Sequence, residues 1–227
     1  MHSLAVIFDM DGVLVDTYRA HLQSWIMLGA EHGRTITEDQ FRPTFGRTSR
    51  ETVEELFRQS FDEQHIARLD HRKEELFREI LSEHFPAMPG AKELVASLAE
   101  AGLGIALGSS GPPKNVELVL DKLGIADRFD AVVTGADVRV GKPNPQVFLV
   151  AASRLRIPPE RCAVVEDAPL GIDAARAAGA AAIGLASTGR TRESLAAADL
   201  VVDRLDELTP ERIADVILGR LEADETA

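Results

Sequence analysis

The chain has 227 residues, 45% of them apolar and 27% charged, with a formal net charge of −12. That length serves one sizeable core, or a core with a smaller second domain, and the composition is that of a soluble globular protein. The acidic balance argues against a nucleic-acid partner or an anionic membrane surface, yet leaves room for an anionic substrate, because a local Lys, Arg or metal can invert the field inside a cleft. A single cysteine, Cys162, excludes an internal disulfide framework and suits a reducing cytoplasm. It opens an apolar run and reads as a small buried hydrophobe. The start of the sequence carries no signal-peptide pattern, and no apolar run approaches the roughly 20 residues that span a bilayer. The expectation is a cytoplasmic protein, monomeric, with neither nucleic acid nor membrane as partner.

Residues 4–16 read LAVIFDMDGVLVD. A short apolar run rich in β-branched residues suits a strand buried on both faces. It ends in Asp9 and Asp11, which lie two apart and so can face one site. Two carboxylates that close repel unless a cation or a shared proton separates them, so the pair points to a metal, a proton-transfer role, or both.

Residues 17 to about 85 show helical periodicity only. Asp16 is placed as the N-cap of a first helix and Gly33 as its stop. Thr48 and Glu51 have capping-box spacing for another. A long helix is expected over about 62–85, with Ile66, Leu69, Leu76, Phe77, Ile80 and Leu81 as its apolar stripe. Lys73 falls inside that stripe. Taken alone it reads as a lysine snorkelling to water; the alternative is that it meets an anion.

From about residue 90, short apolar runs alternate with helical stretches: 104–109, 131–135, 162–167, 181–186 and 199–203. With the first run they make six candidate strands, and strand alternating with helix implies right-handed βαβ units in a parallel sheet. The helical segment is then an insertion after the first strand. The expected division is a Rossmann-like core of residues 1–16 and 86–227 and an all-helical domain of residues 17–85, with two adjacent crossings forming a hinge.

Parallel strands finish on one edge, where ligands bind. Reading the polar residues there gives Asp9 and Asp11 from the first strand, Ser109 and Ser110 from the second, Lys142 from the GKPNP loop, and Glu166 and Asp167 from CAVVED. Three or four carboxylates at one place call for a divalent cation, and oxygen donors without His or Cys favour Mg²⁺ over Zn²⁺. Such a cation, a lysine and hydroxyl donors suit a phosphoryl group. Asp9 would attack phosphorus to form an aspartyl-phosphate, and Asp11 would protonate the leaving oxygen and then activate the incoming nucleophile.

FDMDGVLVDT, the Ser109 strand end, GKPNP and VVEDAPLGIDAARAAG resemble, in order, the four motifs of the haloacid dehalogenase superfamily. The helical insertion is similar to the cap of its β-phosphoglucomutase-like branch. The resemblance implies an α/β Rossmann-like parallel sheet with a helical cap domain inserted after the first strand. It implies Asp9, Asp11, Ser109 and Lys142 as catalytic residues. Mg²⁺ would be held by Asp9, the Asp11 main-chain carbonyl and Asp167, with Glu166 in support. In the cap, Thr17, His21 and Trp25 match the family spacing, Arg72-Lys73 resembles its Arg-Lys pair, and the segment from Gly46 to Arg50 resembles its substrate loop. Either Arg47 or Arg50 would meet a second phosphate. Ser110 and Gly111 complete the implied substrate-binding set. The stretch SSGPPKN is longer than the mutase pattern and resembles phosphatase members. The expected partner is a small phosphorylated metabolite, with a sugar phosphate favoured. The reading is a phosphatase; a phosphosugar mutase is the alternative, and a non-enzymatic phospho-receiver the remoter one.

Overall fold

The computed structural model describes residues 2–45, 49–187 and 189–225. Within them the chain forms two compact units, one of residues 1–16 and 87–227 and one of residues 17–86. The first is a six-stranded parallel sheet with helices, a Rossmann-like α/β fold. Its strands are β1 (Ala5–Phe8), β2 (Gly104–Gly108), β3 (Ala131–Val133), β4 (Cys162–Glu166), β5 (Ala181–Leu185) and β6 (Leu200–Val202). Their order is β3-β2-β1-β4-β5-β6. All six runs expected from the sequence are strands.

The strands read as continuous apolar runs because both faces are covered. Every residue of β1, β2, β4 and β5 is buried. One core cluster joins Ile7, Ala106 and Val164 to Val147 and Phe148 of the helix Gln146–Leu155 and to Ile172 and Ala175 of the helix Pro169–Ala177. Cys162 lies within it, and burial pushes its thiol up to about 12, as an inert small hydrophobe requires. Register brings the functional edge level: Phe8 is opposite Leu107 and Val165, and the ladder continues as the Asp9 amide donates to the Val165 carbonyl at 3.0 Å.

Among its described residues the second unit forms helices and no strand: α1 (Tyr18–Glu31), α2 (Glu38–Phe41) continued by a 3-10 turn (Arg42–Thr44), α3 (Ser49–Phe57) and α4 (Glu63–Glu83). Leu22, Trp25 and Leu28 of α1 pack with Val53 and Leu56 of α3 and Ile66, Leu69 and Leu76 of α4. Helix α4 starts where Asp62 accepts from the His65 amide at 2.7 Å. Gly33, with φ +68°, ends α1 as expected. Asp16 is not its cap. Thr17 already has helical backbone angles and its carbonyl accepts from the His21 amide at 2.9 Å, so Thr17 holds the cap position without a side-chain bond. The Thr48 capping box lies outside the described residues. Among the described residues, no helix is long and apolar enough to cross a membrane.

Lys73 does not snorkel. It is 4% exposed. Its Nζ donates to His21 Nδ1 and to Glu74 Oε1, each at 2.7 Å, and lies 5.8 Å from the Trp25 ring and 5.2 Å from that of Phe77. These partners replace the water that snorkelling would reach.

Candidate active site

The chain leaves β1 as a tight turn. The amides of Leu14 and Gly12 donate to Met10 and Val15 carbonyls at 2.9 and 2.8 Å. Gly12 has φ +78°, and a Cβ there would fall 2.6 Å from Asp167 Cγ. Only glycine fits both the backbone angle and that close approach. Gly171 does a similar service on the next helix: a Cβ would overlap the Glu166 carboxyl. The bare backbone at these two positions lets the β4 carboxylates close on β1.

Asp9, Glu166 and Asp167 are buried, and each offers an oxygen within 4.8 Å of the others. Lys142 Nζ donates to Asp9 Oδ1 at 2.7 Å and to Glu166 Oε1. The other Glu166 oxygen accepts from the Ala168 amide at 2.9 Å. Both Glu166 oxygens are thus engaged, which makes this residue the anchor of Lys142. Lys142 also sits 5.0 Å from the centre of the Phe148 ring. Burial works to lower the Lys142 pKa, but the Asp9 and Glu166 carboxylates outweigh it and hold the ammonium charged, above its usual range.

Burial pushes Asp9 up to about 7. Lys142 opposes the shift, and the charges of Glu166 and Asp11 add to it. Asp167 is raised well above the usual carboxylate range, first by burial and then by Glu166 and Asp9. The cluster therefore holds more negative charge than it tolerates, and hard oxygen donors of this kind fit a Mg²⁺-like cation. A stability consequence follows for Asp9. Its native pKa lies above its unfolded value, so between about pH 4 and 7 the native state binds more protons than the unfolded state, and stability falls as pH rises through that window. Melting of the metal-free protein should show this as a wild-type curve that drops, relative to Asp9→Asn, from pH 5 to pH 7.5.

Ser109 is buried at the end of β2, its amide donating to the Val133 carbonyl and its Oγ accepting from the Gly111 amide, both at 3.0 Å. Ser110 is exposed and Gly111 half-buried in the same loop. Asp11 is half-buried, two residues beyond Asp9. The core thus brings Lys142 into direct contact with Asp9 and Glu166, with an Asp167 oxygen within 4.8 Å of theirs.

The other expected residues belong to the helical unit. Thr17 and Trp25 are buried, and His21 stacks on Phe77 with ring centres 4.3 Å apart while accepting from Lys73. Arg50 pairs with Glu54 at 3.3 Å and with Glu63. Gly46 and Arg47 lie outside the described residues.

Two residues escaped the sequence reading. Ser187 Oγ donates to the Gly12 carbonyl at 3.0 Å, and Arg190 Nε lies 3.9 Å from Asp167 Oδ2. Both stand beyond the end of β5. The strand-end rule applied to AAIGLA would have found Ser187, the next residue, whereas Arg190 lies too far past the strand for that rule to reach.

Residues 4–179 match the family model described as haloacid dehalogenase-like hydrolase. A phosphorylated carbohydrates phosphatase from Thermotoga maritima is 34% identical over 179 residues, covering 77% of this chain and 81% of that protein. A β-phosphoglucomutase from Bacillus subtilis is 32% identical over 214 residues, covering 91% and 92%. The structure is similar to that of a β-phosphoglucomutase from Clostridium difficile, with a TM-score of 0.85 at 29% identity, covering 97% of this chain and 99% of that one.

Proposed function

The chain belongs to the haloacid dehalogenase-like hydrolases, and we propose that within this enzyme family it is a Mg²⁺-dependent phosphatase of a small phosphorylated metabolite, a sugar phosphate above all. The observation that carries the reading is the buried contact of Asp9 with Lys142, with Glu166 and Asp167 level beside it and Asp11 two residues on.

In this reading an Asp9 oxygen attacks phosphorus. A bond forms from Asp9 to phosphorus as the ester P–O bond breaks, and Asp11 gives its proton to the departing oxygen. Water then attacks the same phosphorus, Asp11 takes the water proton, and the Asp9–phosphorus bond breaks to release inorganic phosphate. Lys142 holds Asp9 in place and offsets the charge of the phosphoryl oxygens. Ser109 supplies a hydroxyl at the end of the neighbouring strand. The carboxylates of Asp9 and Asp167 and the Asp11 carbonyl would hold the Mg²⁺, which when bound supplies positive charge to the transferring group.

A phosphosugar mutase is the second reading, favoured by the relatives that bear that name. The chemical difference is whether water or a sugar hydroxyl attacks the aspartyl-phosphate. The stretch Ser110-Gly111-Pro112 between Ser109 and the helix Pro113–Leu123, which resembles phosphatase members, supports water. Incubation with a panel of sugar phosphates and Mg²⁺ decides between them. Release of inorganic phosphate, lost on chelation and restored by Mg²⁺, is expected. Interconversion of β-glucose 1- and 6-phosphates that requires a bisphosphate primer would replace the phosphatase with the mutase.

A further inference from the structure

The loop after β5 is tied to the candidate site at two points. It leaves the sheet with the Ala186 amide donating to the Val202 carbonyl at 2.8 Å. Ser187 Oγ then fastens it to the Gly12 carbonyl, on the turn that follows Asp11. The Arg190 amide donates back to the Ser187 carbonyl at 2.9 Å, and Gly189, at φ +85°, allows the reversal. The turn delivers the Arg190 guanidinium to 3.9 Å from Asp167 Oδ2. That exceeds hydrogen-bond distance, so this contact acts through charge rather than direction.

A charge count shows what the guanidinium adds. Asp9, Glu166 and Asp167 carry three negative charges when ionised; Lys142 and a divalent cation together balance them. Asp11, entering the reaction as an acid, adds none. The site would then be neutral inside a protein of net charge −12, whose field repels a phosphate dianion. Lys142 is already committed to Asp9 and Glu166. Arg190, whose side chain is 29% exposed, adds a positive charge beside Asp167.

We infer that Arg190, carried on the loop beyond β5, is the cation that draws the anionic phosphoryl group of the substrate toward the acidic cluster, a specificity role that rests on the phosphatase reading above. It acts on the approach and retention of the dianion and takes no part in bond making. A charge at that depth is worth about a threefold to tenfold change in the affinity of a dianion, and the effect fades as salt screens it.

The test compares wild type with Arg190→Gln and Arg190→Lys in Mg²⁺ buffer. Hydrolysis of a sugar phosphate and its inhibition by inorganic phosphate are measured at about 20 and 300 mM salt. In low salt, Arg190→Gln is expected to raise both KM and the phosphate inhibition constant about threefold to tenfold, with kcat within about twofold of wild type. Arg190→Lys should restore both constants, and high salt should shrink the difference. A merely structural role would lower kcat and melting temperature, and neither lysine nor salt would mend it. KM and inhibition constants within about twofold of wild type in Arg190→Gln, or a loss confined to kcat, would overturn the assignment while leaving the phosphatase reading intact. A wild-type protein that hydrolyses no phosphate ester would overturn both.

Discussion

Replacing Asp9 by Asn is expected to remove at least about four orders of magnitude from kcat while leaving the fold intact. The amide keeps the size and shape of the buried carboxyl but has no anionic oxygen to attack phosphorus, and the loss of a nucleophile is among the costliest changes an active site can suffer. The stability effect should run the other way. Burial, with Glu166 and Asp11 behind it, already drives Asp9 toward protonation, so a neutral group relieves repulsion in the absence of a metal. Thermal melting of metal-free protein at pH 7.5 should give Asp9→Asn a midpoint equal to or above that of wild type. Turnover that survives in the variant would mean that water attacks the ester directly.

The second large effect belongs to Lys142. Lys142→Met keeps much of the apolar stem against Phe148 but leaves Asp9 and Glu166 facing each other without a cation. Breaking a buried ion pair from one side costs about 3–5 kcal/mol, because the remaining charge stays buried. The loss should depend on pH with a definite sign. Without Lys142 the Asp9 carboxyl, already raised to about 7, rises further. The native variant then binds protons that the unfolded chain has released above about pH 4, so its stability falls as pH rises across that window. Urea unfolding of metal-free protein at pH 5, 6, 7 and 8 should show a gap to wild type that is small at pH 5 and largest at pH 8. A gap that does not change with pH would assign the loss to packing on Phe148 instead of charge. Activity should fall about a thousandfold or more, since a charge offsetting the phosphoryl oxygens is removed with the one that positions Asp9.

Much of this was legible before the structure, for physical reasons that differ from residue to residue. Asp9, Ser109 and Glu166 stand where buried parallel strands end, and such strands write themselves as uninterrupted apolar runs closed by a polar residue. Lys142 was legible through its motif alone, since a loop lysine carries no periodicity. That it bridges Asp9 and Glu166 depends on a contact across 133 residues of chain. Lys73 stood out as a charge inside an apolar stripe. Its burial was not legible, because the nitrogen that receives it belongs to His21, on another helix 52 residues away.

The misreadings are equally local in cause. Asp16 has the chemistry of an N-cap, but Thr17 takes the cap position through its backbone angles alone. The loop carrying Ser187 and Arg190 was passed over because β5 ends without a carboxylate. A basic residue five positions beyond the last residue of β5 draws no attention until the fold sets it beside Asp167.

The covalent role of Asp9 can be read most directly in an Asp11→Asn variant given ³²P-labelled p-nitrophenyl phosphate. Nitrophenolate leaves without needing an acid, whereas hydrolysis of the aspartyl-phosphate still needs the base, so the intermediate should accumulate. Rapid mixing and acid quench should show a burst of nitrophenolate approaching one equivalent per protein, with ³²P on the peptide that contains Asp9 and released by hydroxylamine. Nitrophenolate formed at a constant rate from the first turnover, with no ³²P on the protein, would contradict it.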